Sequence, residues 1–148
     1  MPVFEISPFT PSELLHSVKY GKIYLLTEIN GIYVIRLGKT SHEEFQQLYQ
    51  VVLQKISEKK AESFTIDFSH SEPSSVEDRS WLLMKWFPEL IKTVGKRHFK
   101  IAGVTGTNPG HIKFIIAYLE KTIEEMNWFP VKSFTFTEEA ITWLRGNL

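Results

Sequence analysis

The sequence contains no cysteine in its 148 residues. That absence excludes disulfides, thiolate zinc sites and cysteine nucleophiles together, and it suits a reducing compartment. An excess of charge is also missing, because 17 Lys plus Arg balance 17 Asp plus Glu. The charge total therefore gives no reason to expect nucleic acid or an anionic membrane surface as a partner. No apolar run approaches the roughly 20 residues of a membrane-spanning helix. The opening stretch MPVFEISPFTPSELL has no basic segment leading into a long apolar one, so no secretory signal is expected. A cytoplasmic, bacterial-type setting follows by default. Internal repeats and low-complexity segments are likewise missing.

What is present is a composition of 43% hydrophobic and 14% aromatic residues, which suits one ordered globular domain with a sizeable core. Residues 1–20 read as an N-terminal arm and 21–148 as a single α/β domain. In the arm, Pro2, Pro8 and Pro11 each remove a backbone donor and fix φ, which leaves room only for a short helical turn over Ser12 to Val18. Phe4, Ile6, Phe9, Leu14 and Leu15 are too apolar for a free tail, so the arm is expected to lie on the body or on a neighbouring subunit.

In KIYLLTEINGIYVIRLG, two runs of Ile, Tyr, Leu and Val flank Asn30-Gly31. Both central residues of a type I′ turn need positive φ, so the pattern predicts a hairpin over 22–29 and 32–37. Ser41 and Glu44 form a capping box ahead of Phe45, Leu48, Val52 and Ile56 at helical spacing. Phe64 to Phe68 alternates apolar and polar, predicting a strand with one buried and one wet face. A polar turn from Ser69 to Ser74 leads to a second capping box, Ser75 with Asp78, and then to an unusually apolar helix from Val76 to about Val94. Its arc of Trp81, Leu82, Leu83, Met84, Trp86, Phe87, Leu90 and Ile91 is wider than one buried face requires. Pro88 predicts a kink and Gly95 a stop. A strand over Phe99 to Val104, a helix carrying Ile112 to Met126, a strand over Val131 to Phe136 and a closing helix from Thr137 complete the chain. Strands alternating with helices predict a mixed, mainly parallel α/β sheet of about five strands. The four helices then lie mostly on one face, with the other face open to solvent, to the N-terminal arm or to a partner.

Motifs that would name a reaction are missing. Five histidines are scattered, without helical metal-pair spacing. His70 lies between Asp67 and Ser75 at the C-terminal end of a parallel strand, where open α/β sheets hold ligands. A Ser-His-Asp relay can be imagined there, but Gly-x-Ser-x-Gly is absent. The glycine-rich stretch from Gly103 to Lys113 lacks the endings of a phosphate loop or a dinucleotide fold.

Taken together, the order of elements, Ile66-Asp67-Phe68-Ser69, Trp81, Trp86-Phe87-Pro88, Ile101-Ala102-Gly103-Val104 and Phe136-Thr-Glu-Glu-Ala140-Ile-Thr-Trp143-Leu144 resemble the STAS-like proteins. These have the fold of the stage II sporulation protein AA, an anti-sigma-factor antagonist, and the resemblance is to a small single-domain bacterial branch. It spans about residues 20 to 147. It implies a regulatory binding module rather than an enzyme. In the antagonists, a serine at the N-terminus of the helix after the central strand is phosphorylated by a partner kinase. The matching residues are Ser74 and Ser75, with Pro73-Ser74-Ser75-Val76 standing where the antagonists carry Asp-Ser-Ser-Gly. A plain helix cap explains the position of Ser75 fully.

The leading expectation is a non-enzymatic domain that binds a protein partner or itself as a homodimer, through the surface around residues 69 to 90. Asp67, His70, Ser74 and Ser75 would form its interaction or phospho-switch site. The second is a small apolar-ligand or lipid-binding module, with Trp81, Met84, Trp86 and Phe87 lining an apolar groove or an interface. The third is a hydrolase using Asp67 and His70. No cofactor and no metal is implied.

Overall fold

The computed structural model describes residues 11–95, 98–107, 121 and 129–146. The elements run β1 (Ser12–Val18), β2 (Gly21–Leu26), β3 (Gly31–Gly38), α1 (His42–Lys59), β4 (Ser63–Ser71), α2 (Val76–Trp81), a π-helical segment (Leu82–Trp86), α3 (Phe87–Val94), β5 (Lys100–Val104), β6 (Val131–Phe134) and α4 (Thr137–Arg145). They build one six-stranded sheet in the order β1-β2-β3-β4-β5-β6. The first two pairings are antiparallel and the remaining three parallel. The helix expected over Ile112 to Met126 and the arm before Pro11 lie outside the described residues.

Ser12–Val18 is a sixth strand, not a helical turn. The adjacent Leu14 and Leu15 hide its alternation. A β-bulge absorbs the extra residue, since Leu14 pairs with Tyr24 and His16 with Ile23, so Leu15 joins Val18 against the core. Pro11 precedes the strand at the sheet edge, where a missing donor is tolerated.

The β2–β3 hairpin is present, but its turn differs from the type I′ expectation. Leu26 pairs with Gly31, so Thr27 to Asn30 form the loop, and only Asn30 of the Asn-Gly pair has positive φ, at 49°. Both residues serve other contacts. Asn30 Nδ2 donates to the Lys59 and Lys60 carbonyls at 3.2 and 3.0 Å, closing the end of α1. Gly31 opens β3 against β4, where a Cβ would collide with Ser63 Oγ.

Helix α1 begins at the expected capping box, with Glu44 N donating to Ser41 Oγ at 3.1 Å and Ser41 N to Glu44 Oε1 at 2.9 Å. Its buried residues Phe45, Leu48, Tyr49, Val52 and Ile56 cover one face of the sheet with Trp86, Phe87 and Leu90. The second helical run bends its hydrogen-bond pattern where Pro88 demands it. Pro88 has no N–H to give and would press on the carbonyl four residues back, at Met84. A π turn over Leu82–Trp86, in which Phe87 N–H reaches Leu82 O, admits the proline. The inserted residue also brings the neighbours Trp86 and Phe87 into the core together.

The opposite face is not open. Helix α4 lies on it, and Ile141 packs with Leu26, Tyr33 and Ile35, while Ala140 packs with Ala102 and Val104. The polar side of β4 that reads as wet is therefore buried, including Thr65 and Asp67. Asp67 is accommodated because Tyr33 OH donates to Oδ2 at 2.9 Å and Ser69 N to Oδ1 at 2.8 Å, with Ser69 Oγ adding a further short bond. A buried carboxylate without such donors costs several kcal/mol.

Candidate functional site

The C-terminal ends of β3 and β4 form a crest from which α1 and α2 depart. Strand β4 runs on to Ser71, so Ser69, His70 and Ser71 belong to a strand and the loop is only Glu72 to Ser75. The β3–β4 register slips between Ile35 and Leu37, which sets Arg36 beside the irregularity. Two ties hold the crest: Glu72 N donates to Gly38 O at 3.0 Å, and His42 Nδ1 meets Asp78 Oδ1 at 2.6 Å. A carboxylate only accepts, so Nδ1 carries the proton. Nε2 of His42 then takes the Gln46 amide at 2.8 Å and stands 3.3 Å from Glu77 Oε1.

Asp78 is buried and has two duties. It pairs with His42 and closes the second capping box, with Ser75 N donating to Oδ2 at 3.3 Å and Asp78 N to Ser75 Oγ at 3.0 Å. Ser75 is exposed and Ser74 half-buried. The Ser74 carbonyl accepts from Arg79 Nη1 at 2.6 Å. Arg36 is 1% exposed. Its Nη2 donates to Thr40 Oγ1 at 2.9 Å, its guanidinium carbon lies 5.0 Å from the Phe45 ring centre, and Nε and Nη1 have no partner.

These positions sort the sequence candidates. Ser74 and Ser75 sit on the crest. Asp67 lies below it, its oxygens committed to Tyr33 and Ser69, while His70 is exposed. Ser75 Oγ accepts from Asp78 N, which holds it in the second capping box. The apolar group also divides. Trp86 and Phe87 are core, Trp86 Nε1 donating to Tyr49 O at 2.7 Å. Trp81 is half-buried with its edge toward Phe45 at 6.1 Å. Met84 is 74% exposed and Val76 70%. Trp81, Met84, Trp86 and Phe87 thus do not line a common groove. A cleft of about 470 Å³ lies elsewhere, between the β1–β2 turn and the outer side of α1, lined by Tyr20, Val18, Val51 and the glutamines 47, 50 and 54.

Sequence reading missed Arg36, His42 and Asp78 as a group. Arg36 sits in the hairpin run as a strand residue and His42 as the first residue of a helix. Only the parallel pairing of β3 with β4 brings the two helix starts together. Among the described residues no cluster of three His, Asp or Glu could hold a metal, and no helix is long and apolar enough to cross a membrane.

Burial raises the hydroxyl pKa of two tyrosines well above the ordinary value. For Tyr33 burial acts first and the Asp67 carboxylate adds to it. For Tyr49 burial outweighs the opposing pull of Arg36.

No protein-family model matches the chain, and no curated protein matches it. Among solved structures it is similar to the anti-sigma factor antagonist SpoIIAA in its unphosphorylated form, at 14% identity and a TM-score of 0.51, covering 92% of this chain and 99% of that one. At that identity the likeness speaks for the fold alone. The chain has a STAS-like fold.

Proposed function

We propose that the chain is a non-enzymatic, cytoplasmic regulatory domain that binds a protein partner through its crest, from the end of β4 along the exposed side of α2. The fold is consistent with a protein-interaction domain. The observation that carries the reading is the exposure of Val76 and Met84 on the helical run whose Leu82, Trp86, Phe87 and Leu90 fill the core. Apolar side chains left outward beside a pinned polar loop suit a partner-binding surface.

A phosphoryl switch at Ser75 gains support from its exposure at the start of a helix. Its local effect would be disruptive. A phosphate there faces Glu77 and Asp78, and like-charge repulsion opens the capping box. Asp78 would then loosen from His42, changing the surface that a partner reads.

The test uses the full chain as bait with Val76→Asp and Met84→Asp variants. Loss of a specific, identified partner in variants that keep the wild-type melting temperature supports the proposal. Undiminished capture by both variants sinks it. Sedimentation of the wild type separates a homodimer from a heterologous partner.

A further inference from the structure

Among the described residues three charged side chains are buried, namely Arg36, Asp67 and Asp78. The two carboxylates have their oxygens occupied, Asp67 by Tyr33 and Ser69, Asp78 by His42 and Ser75 N. Arg36 differs. Its guanidinium carries five N–H groups, yet it has one neutral acceptor, Thr40 Oγ1, and one ring contact, Phe45. Nε and Nη1 point to no acceptor, and no carboxylate among the described residues forms an ion pair with it. A ring face compensates a buried cation only in part, and folding alone gives no reason to keep a poorly paired charge where an apolar side chain would pack.

The location is equally telling. Arg36 lies at the C-terminal end of a parallel strand, directed at Thr40, the residue before the N-cap of the 18-residue helix α1. This is one of the carboxyl ends of the sheet, the side on which α/β sheets take ligands. The covering loop is thin: Gly38 and Lys39 are exposed and Thr40 half-buried.

We infer that Arg36 anchors an oxyanion site at the crest that takes a small carboxylate-bearing ligand, admitted past the Gly38–Thr40 loop. The planar guanidinium matches a carboxylate with two parallel bonds. The surrounding charges narrow the class. Glu43 and Glu44 stand in the first turn of α1 and Glu77 beside His42, against Lys39 alone on the covering loop. That rim repels polyphosphates and tolerates a single negative charge. The inference stands apart from the partner-binding reading, because the isolated chain is enough to examine it.

The experiment is an NMR titration of the full chain with acetate, inorganic phosphate and triphosphate at constant ionic strength, following the Arg36 Nε–H and the Thr40 and Ser41 amides. Acetate is expected to give a saturable shift, triphosphate to bind no tighter than acetate, and Arg36→Met to weaken acetate at least tenfold. Arg36→Met should melt at or above the wild-type temperature, and Arg36→Lys should fold and bind with intermediate affinity. No saturable shift, acetate binding unchanged in Arg36→Met, or a sharp fall in its melting temperature would each overturn the assignment. Tighter binding of triphosphate would overturn the carboxylate class.

Discussion

His42 Nδ1 lies 2.6 Å from Asp78 Oδ1, and this bond joins the first turn of α1 to the first turn of α2 across the ends of β3 and β4. Asp78 is buried while His42 is half-buried. Removing the imidazole therefore strips a buried carboxylate of its shortest partner. His42→Ala is expected to lower stability by about 1.5–3 kcal/mol, the range for a hydrogen bond to a charged group. Urea unfolding at neutral pH reads the change, and a shift of the midpoint without a change in slope is the expected form.

Ser75→Ala should cost about 1 kcal/mol, because it deletes the acceptor for Asp78 N and half of the second capping box. The same denaturation curve measures it. In the double variant with His42→Ala the losses should fall short of their sum, since both act on Asp78.

The buried tyrosines set the alkaline limit. Tyr33 and Tyr49 hold their protons more tightly in the folded chain than at their ordinary value of 10.0, chiefly through burial. Below that value both are neutral in the folded and the unfolded chain, and stability does not depend on them. Above it the unfolded chain releases protons that the folded chain retains, so stability falls by about 1.4 kcal/mol per pH unit for each. Unfolding curves at pH 9, 10 and 11 should show this decline, and Tyr33→Phe should roughly halve its slope.

Two glycines with the same backbone separate strain from collision. Gly38 and Gly106 have φ of 63° and 62°. A Cβ at Gly38 meets open space, whereas at Gly106 it falls 2.6 Å from Ser69 Cβ. Gly38→Ala should cost about 1–2 kcal/mol from the left-handed backbone. Gly106→Ala should cost clearly more, as differential scanning calorimetry of the pair will show.

Trp86 and Met84 test the account of the apolar helix. Trp86→Ala removes a core ring and the bond to Tyr49 O, for about 3–5 kcal/mol. Met84→Ala should lie within about 0.5 kcal/mol of wild type, and thermal melts of the two suffice.

Much of the frame was legible in the residues. The capping boxes at Ser41 and Ser75 placed two helix starts correctly, the apolar runs around Asn30-Gly31 marked β2 and β3, and alternation marked β4. β1 was not legible because its bulge at Leu15 breaks the period of two. The buried polar side of β4 was hidden because Asp67 reads as a solvent-facing residue until Tyr33, 34 positions away, is seen to bond it. The excess width of the Trp81 to Ile91 arc came from a π turn, since one inserted residue lets both Trp86 and Phe87 point inward. The crest group of Arg36, His42 and Asp78 depends on strand order, which no local pattern encodes.

The most direct measurement is site-specific photocrosslinking of the full chain in its native cells, with the photoreactive residue at position 76, 84 or 54. The account predicts one discrete adduct, with the same identified protein, from positions 76 and 84 on the α2 side and none from position 54 on the outer side of α1. Adducts from position 54 alone, or an indiscriminate ladder from all three, would contradict it.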